Sequence, residues 1–382
     1  MIQNRDLQGL NVLNQGLMDL LGTAARICVS DPTQVKFIAR TVTSQRKAAK
    51  RREHWEEQGV HVPPLIIISI TSQCNLSCKG CYARAQHRIA QACPGEACPG
   101  DASSAAVRCD ANGDMDDATL RAVFDEARDL GISVALLAGG EPFTRPGLLD
   151  ITVDYPDTIF AVFTNGTLID GAMGARIRNQ RNVIPVLSLE GEQSTTDALR
   201  GTGVWNRVHA AACALHEAKA FFGASLTVRS DTLDTLTDRH FIDEMISLGC
   251  RLFFFVEYVP VQPGTECWEL TQAQRTRLAD RMEDLKSSSA ALFVSFPGDE
   301  EATGGCLAAG RGFVHISSRG DVEPCPFAPY SDTNIRAASL RDALSSPLLE
   351  AIRADHDQFG DTSGGCTLWR KREQVKALLN RR

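Results

Sequence analysis

The chain has 382 residues, of which 43% are hydrophobic and 23% are charged, and its formal net charge is −7. This length is sufficient for one large α/β domain with additions or for two ordinary domains. The acidic balance argues against general nucleic-acid affinity, so we expect no nucleic-acid partner. The sequence has no apolar run of about eighteen residues and no pattern of a secretory signal over residues 1–20, which predicts a cytoplasmic protein.

A helical arm is predicted at the start of the chain, over Leu7–Gly59. Its segment Arg46–Arg52 is rich in basic residues and precedes Glu53, Glu56 and Glu57. Such a basic stripe is typical of a solvent-exposed helix face, and it also matches helices that contact anionic lipid or an acidic partner. Peripheral membrane contact through the arm is therefore one hypothesis, and a solvated surface is the other.

Short apolar segments alternate with helical segments from Leu65 onward, as in repeated βαβ units that form a parallel sheet. Periodicity alone does not separate a doubly wound sheet from a barrel. The main predicted helices are Asp117–Leu130, Arg207–Ala220, Arg239–Leu248 and Thr271–Lys286. The six predicted strands are Leu65–Ile70, Ser133–Ala138, Thr158–Phe163, Val183–Leu189, Ala224–Val228 and Leu252–Tyr258.

The segment Gln86–Gly113 interrupts this pattern after the first strand. It is rich in Gly, Pro and small residues, has no periodicity and repeats the sequence Ala-Cys-Pro-Gly, so it is predicted to be an inserted loop. The spacing of Cys93, Cys98 and Cys109 matches no metal site that we can defend. We interpret them as free thiols, with a further metal site as the alternative.

The chain contains 13 cysteines, and an odd number without a signal peptide favours reduced thiols, some of them metal ligands. Cys74, Cys78 and Cys81 form a CxxxCxxC motif directly after the first strand, at the end of a strand where barrel enzymes build their sites. Three thiolates this close together can bind three irons of a four-iron cluster and leave the fourth iron open. A zinc site completed by His87 is the alternative.

This motif, the sequence Gly-Gly-Glu-Pro over Gly139–Pro142 and the six βα units together resemble the radical S-adenosylmethionine (SAM) superfamily. The resemblance covers Leu65–Tyr258 and implies an α/β fold with a partial (β/α)6 TIM-type barrel. It implies that the open iron binds SAM, that a flavodoxin- or ferredoxin-type reductant supplies an electron, and that a 5′-deoxyadenosyl radical abstracts hydrogen from the substrate. An anaerobic setting follows. One departure is Gly80, where relatives often have an aromatic residue or His; here the aromatic residue is Tyr82, after the third cysteine.

The resemblance also implies SAM contacts around the carboxyl ends of the strands. The Gly-Gly-Glu element would bind the methionyl amine, the polar residues after the third and fourth strands would contact ribose and carboxylate, and Arg200 would lie near the carboxylate. The strand ends also carry candidate substrate contacts at Arg229, Glu257 and Tyr258. The predicted cofactor-binding residues are Tyr82, Gly139, Gly140, Glu141, Thr164, Asn165, Ser188, Glu190 and Arg200.

A second set of cysteines lies beyond Ser287, where the sequence changes character after a long polar helix. Cys306 and Cys325 flank a predicted strand, Phe313–Ser317, and a hairpin turn. They resemble the first half of the auxiliary-cluster motif in SPASM and twitch extensions. With Cys366 as a third thiol, the resemblance implies a shorter, twitch-like domain with one auxiliary four-iron cluster.

The fourth ligand of this auxiliary cluster is left open by the sequence. Cys267 or Cys250 could complete it, or the last iron could be open and bind substrate. A smaller metal centre and three unrelated thiols are the alternatives. Pro324 and Pro326 on either side of Cys325 favour a rigid ligand loop.

The predicted organisation is a helical arm over residues 1–60, a barrel over 61–286 with the inserted loop 86–113, and a small α+β auxiliary-cluster domain over 287–382. A small-molecule or lipid substrate is favoured, because the arm does not resemble the peptide-binding domain of peptide-modifying relatives. A peptide-modifying SPASM-type maturase is the alternative. Other classes are a non-catalytic iron–sulfur electron carrier, a zinc-stabilised interaction protein and a cobalamin-dependent radical methyltransferase.

Overall fold

The core of the protein is one sheet, which in the described part of the chain has nine strands in the order β7-β6-β5-β4-β3-β2-β1-β8-β9. The computed structural model describes residues 18, 22–24, 32–85, 113–296, 305–355, 359 and 365–380. All neighbouring strands are parallel except β9, which is antiparallel to β8. The strands are β1 (Leu65–Thr71), β2 (Val134–Gly139), β3 (Ile159–Thr164), β4 (Val183–Leu189), β5 (Gly223–Val228), β6 (Leu252–Glu257), β7 (Leu292–Phe296), β8 (Phe313–Ile316) and β9 (Val322–Glu323).

Helices connect the parallel strands and cover the outer face of the sheet. Among them, α2 has the predicted bounds, because Asp116 caps its first turn by accepting from the backbone of Thr119 and Gly131 ends it. The helices are α1 (Pro32–Glu57), α2 (Asp117–Leu130), α3 (Leu148–Thr152), α4 (Gly171–Gln180), α5 (Gln193–Arg200), α6 (Val204–Glu217), α7 (Leu233–Leu236), α8 (Arg239–Ser247), α9 (Gln272–Ser288), α10 (Leu340–Leu344), α11 (Pro347–Ala354), α12 (Thr367–Arg370) and α13 (Arg372–Leu379).

The sheet is curled but not closed. The rings of Phe163 on β3 and Phe254 on β6 lie 5.1 Å apart, although two strands separate them in the sheet. Phe296 on β7 and Phe313 on β8 are 5.4 Å apart although they come from opposite ends of the strand order. Aromatic side chains therefore meet across a concave inner face. This confirms the predicted partial barrel.

The sheet contains more strands than the six that the sequence predicts. The predicted strands correspond to β1–β6, and β7 follows α9 and pairs with β6. On the other side, β8 pairs with β1, so strands that we assigned to a separate C-terminal domain extend the barrel sheet. The predicted boundary near Ser287 falls in the last turn of α9. The division into three domains remains a prediction.

The N-terminal helix α1 uses its apolar side within the protein. Phe37, Ile38 and Val42 belong to one hydrophobic cluster with inner-face residues that include Phe254 and Val294. On the same helix Arg52 is buried and donates to a backbone carbonyl at the end of α2. This packing gives no support to membrane contact by the described part of the arm. No helix in the described ranges is long and apolar enough to cross a membrane.

A buried chain of three polar side chains joins β1 to the β8–β9 pair. The Oγ of Ser69 lies 2.8 Å from Nε2 of His315, and Nδ1 of His315 lies 2.7 Å from a carboxylate oxygen of Glu323. The strand pairing puts Ser69, His315 and Phe313 on the inner face of the sheet. Because all three polar residues are buried, each depends on its neighbours for hydrogen bonds that water would otherwise make.

We expect Ser69→Ala to lower the free energy of unfolding by about 1–3 kcal/mol, because it leaves a buried ring nitrogen of His315 without its partner. The control is Ser247→Ala, which removes an exposed hydroxyl at the end of α8 and should change stability by less than about 0.5 kcal/mol. Urea unfolding of the two variants measures the difference. Equal midpoints would show that the buried chain contributes nothing to stability.

Candidate functional site

The loop after β1 carries Cys74, Cys78 and Cys81 as free thiols. Burial raises the pKa of Cys74, and it raises the pKa of Cys78 to about 11, while the positive charge of Arg200 acts against that shift at Cys78. A metal that binds here would replace the thiol protons, since metal binding is coupled to deprotonation of its ligands. The three cysteines also influence one another's charge, which places them in one electrostatic cluster.

The sequence left two kinds of metal centre open for these cysteines, a cluster of several irons and a single zinc ion. Among the residues that the structure describes, no three Cys, His, Asp or Glu side chains are arranged to hold one metal ion. Zinc draws all its ligands to about 2.0–2.3 Å from one point, whereas a four-iron cluster binds each cysteine through a different iron. His87, the predicted fourth ligand of a zinc site, lies outside the described residues, as do Cys93, Cys98 and Cys109.

Gly139 and Gly140 allow the backbone after β2 to contact the start of the cysteine loop. The amide of Gly140 donates to the carbonyl of Thr71 over 2.8 Å, and the amide of Glu141 donates to the carbonyl of Gln73 over 2.7 Å. A Cβ atom at Gly140 would lie 1.9 Å from the carbonyl oxygen of Gln73. From the sequence we expected these glycines to admit a ligand. In the structure the group that they admit is the backbone immediately before Cys74.

Glu141 connects the ends of β2 and β3. Its carboxylate accepts from the hydroxyl of Thr164 and the amide of Asn165, both over 2.7 Å, and from the amide of Phe143 over 3.1 Å. The side chain is buried, and burial raises its pKa against the effect of these donors. A carboxylate has about four acceptor positions, so three internal donors leave room for one more. The predicted contact with the methionyl amine therefore requires that remaining position.

Asparagine side chains hold the cysteine loop to the end of β3. The Nδ2 of Asn165 donates to Oδ1 of Asn75 over 2.8 Å, and Nδ2 of Asn75 donates to the hydroxyl of Thr167 over 2.9 Å. Asp114 holds the root of the loop by accepting from the hydroxyl of Thr71 and from the amide of Ser72. Sequence reasoning missed Asn75, Thr167 and Asp114. Asn75 was detectable as a polar residue inside the cysteine motif, whereas Asp114 follows the insertion and belongs to no motif.

Arg200 and Glu190 form a buried ion pair beside the cysteine loop. Two guanidinium nitrogens of Arg200 lie 3.0 and 2.6 Å from one carboxylate oxygen of Glu190. The loop contacts this element directly, because the amide of Lys79 donates to the carbonyl of Leu199 over 2.8 Å. Ser188 lies two residues before Glu190 and is paired with Ser225 of β5. The structure thus brings Ser188, Glu190 and Arg200 to the side of the sheet end that carries Cys78.

The residues at the end of β6 explain the departure at Gly80. A Cβ atom at Gly80 would lie 2.8 Å from the ring of Trp268 and 3.0 Å from the hydroxyl of Tyr258, so a larger residue would displace both rings. The Tyr258 hydroxyl donates to Thr265 over 2.9 Å. Glu257, a predicted substrate contact, instead forms a 2.9 Å ion pair with Arg275 on α9. Tyr258 therefore lies at the cysteine loop, and Glu257 is occupied by a neighbouring helix.

The C-terminal cysteines come together behind Tyr82. The thiols of Cys325 and Cys366 are hydrogen-bonded and Cys306 is close to them, and burial raises the pKa of Cys325 well above its usual range. Cys366 packs in one apolar cluster with Tyr82 and Phe327, whose rings are 5.6 Å apart. Tyr82 directly follows Cys81, and the amide of Phe327 donates to the Cys325 sulfur over 3.3 Å. One aromatic pair therefore separates the two cysteine sets.

The two candidates for a fourth auxiliary ligand have different positions. Cys250 is buried before β6, at the end of the sheet away from Cys74, and its thiol faces the carbonyl of Leu252. Burial raises the pKa of Cys250 to about 12. Cys267 is exposed in the 3-10 turn Glu266–Trp268. Cys250 therefore lies at the end of β6 opposite to Val259, which packs with Cys366, and the fourth ligand of the predicted auxiliary cluster stays open.

A curled parallel sheet with three cysteines in the loop after its first strand is typical of barrel enzymes that bind an iron–sulfur cluster. Residues 68–253 match the Radical SAM superfamily, from β1 into β6. The chain therefore contains a radical SAM superfamily domain and is an enzyme.

The chain is also similar to several enzymes at low sequence identity, and this similarity extends beyond residues 68–253. The chain is 26% identical over 335 residues to the AdoMet-dependent heme synthase of Methanosarcina barkeri, with 80% of this chain and 89% of that protein covered. It is 26% identical over 290 residues to the mycofactocin maturase MftC of Mycobacterium tuberculosis, with 71% of this chain and 66% of that protein covered. The structure of Streptococcus suis SuiB bound to S-adenosylmethionine superposes with a TM-score of 0.61 at 19% identity, over 81% of this chain and 72% of SuiB. That likeness concerns the fold.

We expect Gly140→Ala to reduce iron incorporation severalfold, because the added Cβ atom collides with the Gln73 carbonyl and moves the root of the cysteine loop. Gly171→Ala is the matched control, since a Cβ atom at Gly171 meets nothing within 4 Å. Iron and sulfide per protein chain are measured after anaerobic reconstitution. Full iron content in the Gly140→Ala protein would show that this backbone contact does not position the cysteines.

Proposed function

We propose that this enzyme reductively cleaves SAM and uses the resulting 5′-deoxyadenosyl radical to abstract hydrogen from an unactivated C–H bond. The observation that carries the proposal is the cysteine loop itself. Cys74, Cys78 and Cys81 lie at the carboxyl end of β1, held against the Gly-Gly-Glu backbone and beside the Arg200–Glu190 pair. A four-iron cluster bound there would supply the electron for the cleavage and an open iron for the SAM amino and carboxylate groups.

The residues around the loop have complementary roles in this proposal. Arg200 carries the positive charge closest to Cys78 and would face the SAM carboxylate, with Glu190 fixing the plane of its guanidinium. Glu141 has one acceptor position left for the methionyl amine. Thr164 and Asn165 hold the Glu141 carboxylate in place and would act on SAM through it.

We further propose that Cys306, Cys325 and Cys366 bind an auxiliary four-iron cluster. Their convergence, with Cys325 buried, supports metal binding over three unrelated thiols. The contact between Tyr82 and Phe327 supports electron exchange between the two sites, because each ring is adjacent in sequence to one cysteine set. A flavodoxin- or ferredoxin-type protein would reduce the first cluster.

For the substrate we propose a small molecule or a peptide. Similarity to a heme synthase supports the first, and similarity to a peptide maturase supports the second. Packing of α1 against the inner face of the sheet removes the reason for preferring a lipid.

The first test is formation of 5′-deoxyadenosine from SAM after anaerobic reconstitution with iron and sulfide and reduction with dithionite. We expect product in the wild type and a loss of at least about 100-fold when Cys74, Cys78 and Cys81 are all changed to Ala, because the cluster whose open iron would receive SAM is then lost. The control is Cys213→Ala, which removes an exposed thiol on α6. An iron-loaded wild type without product would instead indicate an electron carrier.

The second test counts iron. We expect the variant without Cys74, Cys78 and Cys81 to retain about half of the iron, roughly four atoms per chain, and further loss of Cys325 to remove it. Mössbauer or electron paramagnetic resonance spectra of the two proteins would assign the retained iron to the auxiliary site. Complete loss of iron in the first variant would contradict an auxiliary cluster.

A further inference from the structure

Three arginines whose side chains are at most 14% exposed lie near the carboxyl ends of β4–β6, and their charges are balanced to different degrees. Arg200 makes two hydrogen bonds to the buried Glu190. Arg275 pairs with the buried Glu257 and also with Glu269. The third, Arg229, has a side chain that is 7% exposed, and its ion pair is with Asp231, whose side chain is 56% exposed.

Arg229 keeps a donor without a partner. Its Nε atom is buried and makes no hydrogen bond in the part of the chain that the structure describes. A guanidinium is costly to remove from water unless its donors and its charge are satisfied. The exposed Asp231 shares its charge with solvent and gives weak compensation. Among the described residues, the Arg229 side chain therefore has an exposed anionic partner but no buried one.

Arg229 is connected to the cysteine loop through two aromatic rings. The residue follows β5, and its guanidinium lies 4.5 Å from the centre of the Trp268 ring, a cation–π contact that fixes the orientation of the guanidinium plane. Trp268 contacts Tyr258, and both rings lie against Gly80 between Cys78 and Cys81. Arg229 is thus one aromatic ring away from the cysteine loop.

We propose that Arg229, preorganised by Trp268, binds a carboxylate of the substrate. A planar guanidinium with a free Nε and a neighbouring terminal nitrogen matches the two oxygens of a carboxylate. This inference rests on the proposed function, because it assigns the substrate of that same site to molecules that carry a carboxylate. In this proposal Arg200, which is paired with Glu190 beside Cys78, binds the carboxylate of SAM. Arg229 binds the carboxylate of the substrate.

The experiment measures binding of a carboxylate probe by tryptophan fluorescence in the full-length, iron-loaded protein. The probe is N-acetylglycine, and its uncharged analogue N-acetylglycinamide is the ligand control. We expect the fluorescence of the wild type to change saturably with N-acetylglycine and not to change with the amide. In Arg229→Gln the dissociation constant for N-acetylglycine should be at least about tenfold higher. The chain has 4 tryptophans, and Trp268 is the one that contacts Arg229. Trp268→Phe should therefore remove most of the fluorescence change that N-acetylglycine causes.

A second variant keeps the test decisive if Arg229→Gln is poorly folded. Asp231→Asn removes the competing exposed carboxylate and should tighten N-acetylglycine binding about two- to fivefold. Equal affinities in the wild type and both variants would overturn the proposal. A loss of SAM binding in Arg229→Gln, without any response to N-acetylglycine in the wild type, would overturn it by making Arg229 a SAM contact.

Formation of 5′-deoxyadenosine is measured on the same wild-type preparation. Product formation without Arg229-dependent carboxylate binding would reject this inference and leave the proposed function intact. Carboxylate binding without product would reject the proposed function and leave an anion site at Arg229.

Discussion

The site depends on one backbone contact, between the residues that follow β2 and the residues that lead into the cysteine loop. Parallel pairing of β1 and β2 continues past both strands through the amides of Gly140 and Glu141. A side chain at Gly140 would occupy the place of the Gln73 carbonyl. Because Gly140 has no Cβ atom, the backbone at Gln73 can pass next to it, and the chain leaves the sheet in the direction of Cys74. The side chain of Glu141 then extends the same connection to the end of β3.

This arrangement gives the loop rigid support on two sides. Asn75 in the loop accepts a hydrogen bond from Asn165 after β3, and the amide of Lys79 donates to Leu199 of α5. Asp114 accepts from Thr71 at the root of the loop. Tyr258 and Trp268 press against it from β6 and the turn that follows. Ligands for a cluster must be held in place by their surroundings, because a short loop alone would leave its thiols free to reorient. Rigidity thus comes from contacts that are distant in sequence.

The sequence predicted the parts of the fold that local patterns determine. Apolar segments indicated β1–β6, and a capping residue and a glycine indicated both ends of α2. It failed where partners are far apart along the chain. Ser69 and His315 are separated by 246 residues, and no local pattern announces their hydrogen bond. The addition of β7 and β8 to the barrel sheet has the same origin, because a short strand does not reveal which edge it joins.

For the site, the sequence indicated the cysteine loop and some of its supporting residues, but it missed Asn75 and Asp114 and did not show what each residue contacts. Gly139 and Gly140 were singled out as positions of close approach, and the structure places the backbone before Cys74 against them, while their contact with a ligand stays a prediction. Glu257 and Arg229 were equivalent candidates for substrate contact, because both lie at the ends of neighbouring strands. Only the structure shows that Arg275 neutralises Glu257 while Arg229 keeps a buried donor. Charge compensation depends on side chains from other elements, which spacing along the chain does not encode.

The C-terminal region is built into the site. Its strand β8 supplies His315 to the inner face, Phe327 lies against Tyr82, and Arg370 pairs with Glu269. Because Glu269 also pairs with Arg275, which neutralises Glu257, the charge balance at the end of β6 depends on a residue adjacent to the C-terminal cysteines. Three ion pairs therefore connect Arg370, four residues after Cys366, with Glu257 at the carboxyl end of β6. The charges around the second cysteine set and those at the end of β6 thus form one network.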